Sequence, residues 1–118
     1  MPRTPTIAGP ETDLAYAAAQ KVVEVHRRLS GFLRIGQRLP EIDEFVARNL
    51  ADLDCESCFL KYQNSIGAPK FPSHSCLSVN DCVVHGTAGY YPAPMKAGDV
   101  LKIDIGVRYR GWIGDAGW

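Results

Sequence analysis

The sequence predicts an α+β fold in which two helices pack on one face of an antiparallel sheet that ends in a β-hairpin. Two segments with apolar residues at helical spacing come first, and short apolar segments typical of strands follow. This order favours a layer of helices on a sheet over alternating β and α units. With 118 residues, the chain is long enough for one domain and too short for two.

The composition excludes several classes of protein. The 13 Lys and Arg residues balance 13 Asp and Glu residues, and the pI is near 6.8, so we expect no direct nucleic-acid binding. No apolar run approaches the roughly 20 residues that cross a bilayer, so no membrane contact is expected. The first residues lack the apolar stretch of a secretory signal. We therefore expect a cytoplasmic protein.

Each of the two predicted helices is apolar on one side and needs a surface to cover. Residues 1–9 show no periodicity and predict a flexible leader. The first helix begins near Pro10 and ends at Gly36, and His26 on it is interpreted as a solvated residue. The second helix begins near Pro40. The apolar positions are Leu14, Ala18, Val22, Val25, Leu29 and Phe32 in the first helix, and Ile42, Phe45, Val46, Leu50 and Leu53 in the second.

Segment 55–98 is rich in Ser, Gly, Pro and Asn, and its short apolar runs predict two or three strands, at 59–60, 77–79 and 83–84. It also contains four cysteines. Cys55 and Cys58 form a CxxC, but five residues separate Cys76 from Cys82, which does not match a zinc ribbon. Free thiols are favoured in a reducing cytoplasm, with a structural zinc site and a redox pair as alternatives.

The clearest strand covers residues 100–107 and carries an acidic residue in its middle. Leu101, Ile103, Ile105 and Val107 are uniformly aliphatic and are expected to face the helices. They alternate with Val100, Lys102, Asp104 and Gly106. Asp104 therefore points to the other face. Because Asp is depleted in strand interiors, this position needs an explanation.

The segment after this strand turns back toward it and carries a second acidic residue. If the turn is symmetric about Tyr109 and Arg110, Asp104 and Asp115 lie directly opposite each other, with Cβ atoms roughly 5 Å apart. Two carboxylates so close repel each other unless one is protonated or a cation lies between them, which favours a pair of divalent ions. The alternative is that Asp115 is a turn residue and that Asp104 is a charge at the rim of the sheet, paired with Lys102 or Arg108.

Three motifs in order resemble those of one enzyme family. Residues 71–86 resemble the FPxSxCxSVNxxVxHG signature of type I methionine aminopeptidases, with His74 in place of the more usual Ser. Residues 98–107 resemble that family's GDIVNIDV strand, and residues 111–115 resemble its G-[YF]-H-G-D segment. The resemblance covers residues 11–118. It implies the N-terminal half of a pita-bread fold over 10–118, truncated at its C-terminus.

The resemblance also implies an activity and residues that perform it. It makes Asp104 and Asp115 two of five ligands of two divalent metal ions (Co, Mn, Fe or Zn). His85 would bind the scissile amide of the substrate, whereas His74 has no expected chemical role. The implied reaction is removal of N-terminal methionine, and the implied partners are the N-terminal Met peptides of nascent chains. The full-length protein is expected to be a monomer, this fragment is expected to be inactive alone, and contact with the ribosome is left open. The residues that would line the methionine side-chain pocket are Tyr62, Phe71 and Cys76.

Two departures from the family pattern affect the site. Residues 63–70 are an apparent insertion next to Tyr62, and Ala116 and Gly117 stand where the family has Thr and Ser. The alternative functions are an Xaa-Pro aminopeptidase or prolidase of the same fold, a non-catalytic binding module of that fold, and a small zinc module that uses the four cysteines.

Overall fold

The computed structural model describes residues 9–118, in which two helices precede four strands. All of the predicted leader except Gly9 lies outside the described residues. Helix α1 runs Pro10–Phe32 and helix α2 runs Leu39–Asp52. Helix α1 ends four residues before Gly36 because Leu33 is already extended, although its N–H still donates to the Leu29 carbonyl. Neither described helix is long and apolar enough to cross a membrane.

The four strands form one antiparallel sheet around a central strand. They are β1 (Glu56–Ser57), β2 (Cys76–Val79), β3 (Leu101–Tyr109) and β4 (Trp112–Gly117). Strand β4 pairs along one edge of β3, and β1 and β2 share its other edge. The predicted arrangement of two helices on an antiparallel sheet that ends in a hairpin is confirmed.

The predicted strand at 83–84 does not form, and the one predicted at 59–60 lies earlier, at β1. Val83 and Val84 are exposed in a loop. Gly86 in this loop instead makes two hydrogen bonds with β2. Its carbonyl accepts from Leu77 N–H at 2.9 Å, and its N–H donates to Ser78 Oγ at 3.0 Å. Two isolated bonds fix the loop without building a ladder.

The core lies between the helices and one face of the sheet. Ile103, Ile105 and Val107 of β3 are buried against the helices, as their alternation predicts. Both predicted helix stripes are also largely buried. The side chains that complete this core are Val22, Val25 and Leu29 from α1, Ile42, Val46 and Leu50 from α2, and Leu77 and Val79 from β2.

The interpretation of His26 as a solvated residue is wrong. His26 is 8% exposed, and its Nε2 lies 2.8 Å from the carbonyl oxygen of Ala116 on β4. Helix α1 packs so closely on β4 that a Cβ on Gly114 would lie 2.5 Å from the Ala18 carbonyl oxygen. This close contact widens the buried side of α1 beyond its apolar stripe and encloses the histidine.

Candidate metal centre and substrate cavity

The hairpin between β3 and β4 has a different register from the predicted one. Its turn is Arg110–Gly111, with φ of 50° and 82°, and Tyr109 pairs with Trp112. Two positive φ angles are what a two-residue type I′ hairpin requires, and Gly at the second position accommodates one at no steric cost. Asp115 therefore lies opposite Gly106, and Asp104 opposite Gly117. The prediction that Asp104 and Asp115 lie directly opposite each other is therefore wrong, because the register differs from the predicted one by two residues.

A shift of two residues keeps both acids on the same face of the sheet. Asp104 and Asp115 are diagonal neighbours on the face away from the helices. Burial, a hydrogen bond with Asp115 and the charge of Asp115 raise the pKa of Asp104 to about 6, while His85 opposes the shift. The pKa of Asp104 is thus raised in the way expected of a partly buried carboxyl next to a second acid.

The donor chemistry of this pair fits a divalent cation. Carboxylate oxygens are hard ligands, and a cation between them would offset the repulsion between the two negative charges. Among residues 9–118, however, no group of three or more His, Cys, Asp or Glu side chains is placed to hold a metal ion. Asp104 and Asp115 can therefore supply only part of a coordination shell.

The cysteines do not form a metal site of their own. All four are free thiols, with Cys55 and Cys76 buried. Burial, assisted by the nearby Asp104 and Asp115 charges, raises the pKa of Cys76 to about 11. A thiol with so high a pKa is a poor nucleophile at neutral pH. Among residues 9–118, the cysteines are not part of any group of three or more side chains placed to hold a metal ion. Within the described residues, nothing supports the small zinc module.

His85 is presented toward the acidic pair by a strained loop. Its φ of 62° lies in the left-handed region, which costs a non-glycine residue free energy and is found preferentially at functional sites. The next residue, Gly86, holds this conformation through its two bonds to β2. A Cβ at Gly86 would overlap the Leu77 carbonyl, so only glycine fits there. His85 is left exposed at the edge of the acidic pair.

Two adjoining cavities open on this face of the sheet. The larger has a volume of about 690 Å³ and the smaller of about 420 Å³. Both are lined by Cys76, His85, Asp104 and Asp115, which therefore form their common boundary. Tyr62 and Phe71 line the larger cavity, so the structure brings together every site residue that the sequence predicted.

The apparent insertion at 63–70 leaves Tyr62 and Phe71 in the lining of the larger cavity. Lys61 N–H donates to the Phe71 carbonyl at 2.7 Å, and Phe71 N–H donates to the Tyr62 carbonyl at 2.8 Å. The two ends of the inserted loop are thus joined, and Tyr62 and Phe71 remain side by side.

Several residues of the larger cavity were missed by sequence reasoning. Gly106 could have indicated one of them: a Cβ there would lie 2.9 Å from the Phe59 ring, so the glycine leaves room for this aromatic wall. A glycine within a strand is a signal of such a close approach. No comparable signal marks the others. The missed lining residues are Cys58, Phe59, Thr87, Arg108 and Ile113.

A buried acid, also missed, holds the segment that leads into β2. Asp43 on α2 accepts hydrogen bonds from the N–H groups of His74 and Ser75 and from Ser75 Oγ at 2.6–3.1 Å. The His74 ring also lies 3.1 Å from Asp43. His74 thus has a structural contact, and the segment it belongs to places Cys76 beside Asp104.

Comparison with known proteins places this fold and site in a family. The profile of metallopeptidase family M24 matches residues 9–118. The chain belongs to metallopeptidase family M24. Among curated M24 relatives, methionine aminopeptidase 1 of Bacillus subtilis is 30% identical over 112 residues, which cover 92% of this chain and 40% of that protein. Methionine aminopeptidase of Aquifex aeolicus is 29% identical over 99 residues, 84% of this chain and 38% of the relative.

Solved structures give the same result for the fold. Methionine aminopeptidase from Thermotoga maritima superposes with a TM-score of 0.77 at 26% identity, over 95% of this chain and 43% of the other. The enzyme from Rickettsia prowazekii superposes with a TM-score of 0.79 at 22% identity, over 95% and 42%. The chain therefore has the architecture of part of the pita-bread fold, and it spans about two-fifths of the length of these M24 relatives.

Proposed function

We propose that this chain contributes to a metal-dependent aminopeptidase that removes methionine from the amino termini of polypeptides. The observation that carries the proposal is the position of Asp104 and Asp115: two carboxylates on one face of the sheet, in diagonal positions, lie where two cavities meet. Membership of metallopeptidase family M24 and the names of the matched relatives support it. Nascent chains in the cytoplasm are the substrates that fit this activity.

Asp104 and Asp115 are the residues that would hold the metal. Two ions of Co, Mn, Fe or Zn are the proposed complement, and both carboxylates would contribute oxygen ligands to them. A bound divalent ion supplies Lewis-acid polarisation of the peptide carbonyl. Because the described residues offer only this pair, we expect the active centre to need donors beyond residues 9–118.

His85 is the proposed contact to the peptide bond. Its imidazole lines both cavities and stands next to the acidic pair, so an N–H can donate to a carbonyl oxygen placed there. This donation would stabilise negative charge that develops on the oxygen during hydrolysis. The strained loop keeps the donor in place before substrate arrives, which lowers the cost of ordering it.

Tyr62, Phe71 and Cys76 are the proposed walls for the side chain of the first residue. Phe59 and Phe71 pack edge to face with ring centroids 6.3 Å apart and form an apolar surface. An unbranched thioether side chain adapts well to a wall of aromatic rings and thiols. The larger cavity has the volume typical of small-ligand sites.

The test is release of methionine from Met-Ala-Ser by the protein produced from its natural gene and supplied with Mn²⁺ or Co²⁺. We expect D104N and D115N to abolish release and H85A to reduce kcat about 100-fold. D81N, at an exposed acid outside both cavities, is the matched control and should leave the rate unchanged. Undiminished activity of D104N, or no release of methionine with either Mn²⁺ or Co²⁺, would contradict the proposal.

A further inference from the structure

Helix α1 holds strand β4 by a hydrogen bond at the residue that follows Asp115. The Nε2 atom of His26 lies 2.8 Å from the carbonyl oxygen of Ala116. Because a carbonyl oxygen can only accept, Nε2 carries a proton and donates it. The bond therefore ties a helix side chain directly to the backbone of the strand that presents this acid.

The bonded carbonyl belongs to the pair of residues that lies between the two acids. Ile103 and Trp118 exchange both of their backbone hydrogen bonds, each at 2.8 Å. Such exchanging pairs recur at every second position of an antiparallel ladder, so Ile105 and Ala116 form the next one. Each acid immediately precedes one member of this pair, one on β3 and one on β4. The pair thus lies midway along the diagonal that separates the two carboxylates.

His26 is not needed to fill the core or to satisfy the carbonyl. It is 8% exposed and lies on the side of α1 that also buries Val22, Val25 and Leu29. A polar ring in such a place loses hydration that an aliphatic side chain would not lose. The Ala116 carbonyl already accepts a hydrogen bond from β3, and its second lone pair needs no partner. The N–H of His26 therefore acts as an added constraint on the position of β4.

A second contact with α1 lies on the other side of Asp115. A Cβ on Gly114 would lie 2.5 Å from the Ala18 carbonyl oxygen, so helix and strand backbones touch there. Within residues 9–118, β4 pairs with β3 alone, so its outer edge has no ladder to hold it. Helix α1 thus contacts β4 at Gly114, just before Asp115, and at Ala116, just after it.

We infer that His26 is a positioning residue, which fixes the separation of the Asp104 and Asp115 carboxylates through its bond to Ala116. This inference rests on the proposed function, in which these two acids hold the metal. A small rotation of β4 at Ala116 would move one carboxylate relative to the other, and metal ligands must be held to within about 0.5 Å. His26 lies on the helix side of the sheet and the acids lie on the other, so it acts without touching metal or substrate.

The test is isothermal titration of Mn²⁺ into the protein produced from its natural gene. H26L fills the same space without the donor, and we expect its Kd for Mn²⁺ to rise about tenfold while its Tm at pH 7 is not lowered. H26Q keeps an N–H donor and should restore most of the affinity. V46A is the matched control, because it removes methyl groups from the same core on α2 and should lower Tm without changing Kd.

A second measurement needs no metal. Amide hydrogen exchange in the metal-free protein should be faster at Ile105 and Ala116 in H26L than in the wild type or H26Q, because the bond to His26 no longer restrains that pair. Val107 lies on the same strand beyond the contact and should exchange at the same rate in all three proteins.

Equal Mn²⁺ affinity of the wild type and H26L, or no Mn²⁺ binding by the wild type, would overturn the inference. A loss in H26Q or V46A as large as that in H26L would also overturn it, since the effect would then not come from the donor. Release of methionine from Met-Ala-Ser separates this result from the proposed function. Mn²⁺ affinity that depends on His26, without release of methionine, would support the positioning role and contradict the aminopeptidase. Methionine release with an affinity that does not depend on His26 would do the reverse.

Discussion

Asp115 lies opposite Gly106 across the β3–β4 hairpin and is therefore one diagonal step from Asp104, on the same face of the sheet. This offset brings the carboxylates close enough for a hydrogen bond while Gly106 between them leaves room for the Phe59 ring. The position of the acidic pair and that of the Phe59 ring in the cavity wall thus both depend on the pairing of Gly106 with Asp115. Any change in the pairing of β3 and β4 would alter both together.

The first prediction concerns the pKa of Asp104 in protein freed of metal by a chelator. NMR titration of the side-chain carboxyl should give Asp104 a pKa of about 6. D115N should lower this pKa but not restore its ordinary value, because burial is the largest cause of the shift. A D115N variant in which the pKa of Asp104 is unchanged would contradict the contact between the two side chains.

The same shift predicts how stability depends on pH. Since the folded state raises the pKa of Asp104 from 3.8 to about 6, it holds a proton that the unfolded chain releases between those values. This group therefore favours folding at pH 4 and loses that contribution as the pH rises toward 6. D104N should raise Tm at pH 7 relative to wild type and have less effect at pH 4, as followed by circular dichroism. An equal effect at both pH values would argue against the shift.

The second prediction concerns the glycine that holds the His85 loop. G86A should lower the free energy of unfolding by about 2 kcal/mol or more, because the new Cβ would overlap the Leu77 carbonyl. G89A is its control in the same segment, since a Cβ there meets nothing within 4 Å. Urea denaturation of both variants measures the difference. Similar midpoints for the two would show that the loop is not clamped to β2 as described.

The third prediction concerns the contact between α1 and β4. G114A should destabilise the protein by about 2–3 kcal/mol, since its Cβ would lie 2.5 Å from the Ala18 carbonyl oxygen and force the helix away from the strand. In G117A the new Cβ would make an ordinary contact, 3.6 Å from the Ile103 carbonyl oxygen. Thermal unfolding should therefore separate two alanine substitutions that lie three residues apart on one strand.

The fourth prediction concerns His26. Burial lowers the pKa of His26, and its bond to the Ala116 carbonyl opposes that effect only in part. The unfolded chain therefore binds a proton more readily, so the stability contributed by His26 is complete above about pH 6.5 and is lost as the pH falls below that value. H26Q, which keeps an N–H donor, should remove this loss between pH 7 and pH 5. A wild-type Tm that falls no more steeply than that of H26Q would contradict it.

Much of the fold could be predicted because periodicity records which side of each element is buried. The apolar spacing of α1 and α2 and the alternation of Ile103, Ile105 and Val107 identify the core without reference to the rest of the molecule. The same alternation correctly assigned Asp104 to the opposite face. The register of the hairpin could not be read in this way, because it depends on which two residues adopt positive φ.

The positions that sequence reasoning missed are those whose surroundings come from distant parts of the chain. His26 is buried by β4, 90 residues away, and Asp43 is satisfied by residues 31 and 32 positions later. The residues next to a polar residue in the sequence do not indicate whether it has such a distant partner. Arg108 resembles a solvated rim charge in the sequence, and only the folded sheet shows that it shares a cavity with Asp104.

The Arg110–Gly111 turn has a consequence for how this molecule can vary. Loop tips usually tolerate a change in length, but here a slip of β4 against β3 by one residue would reverse the side to which Asp115 points. The acid would then be directed at α1, where the backbone of Ala18 leaves no space beside β4. Descendants of this sequence can therefore change the turn only in ways that keep Tyr109 paired with Trp112 while both acids stay in the cavity.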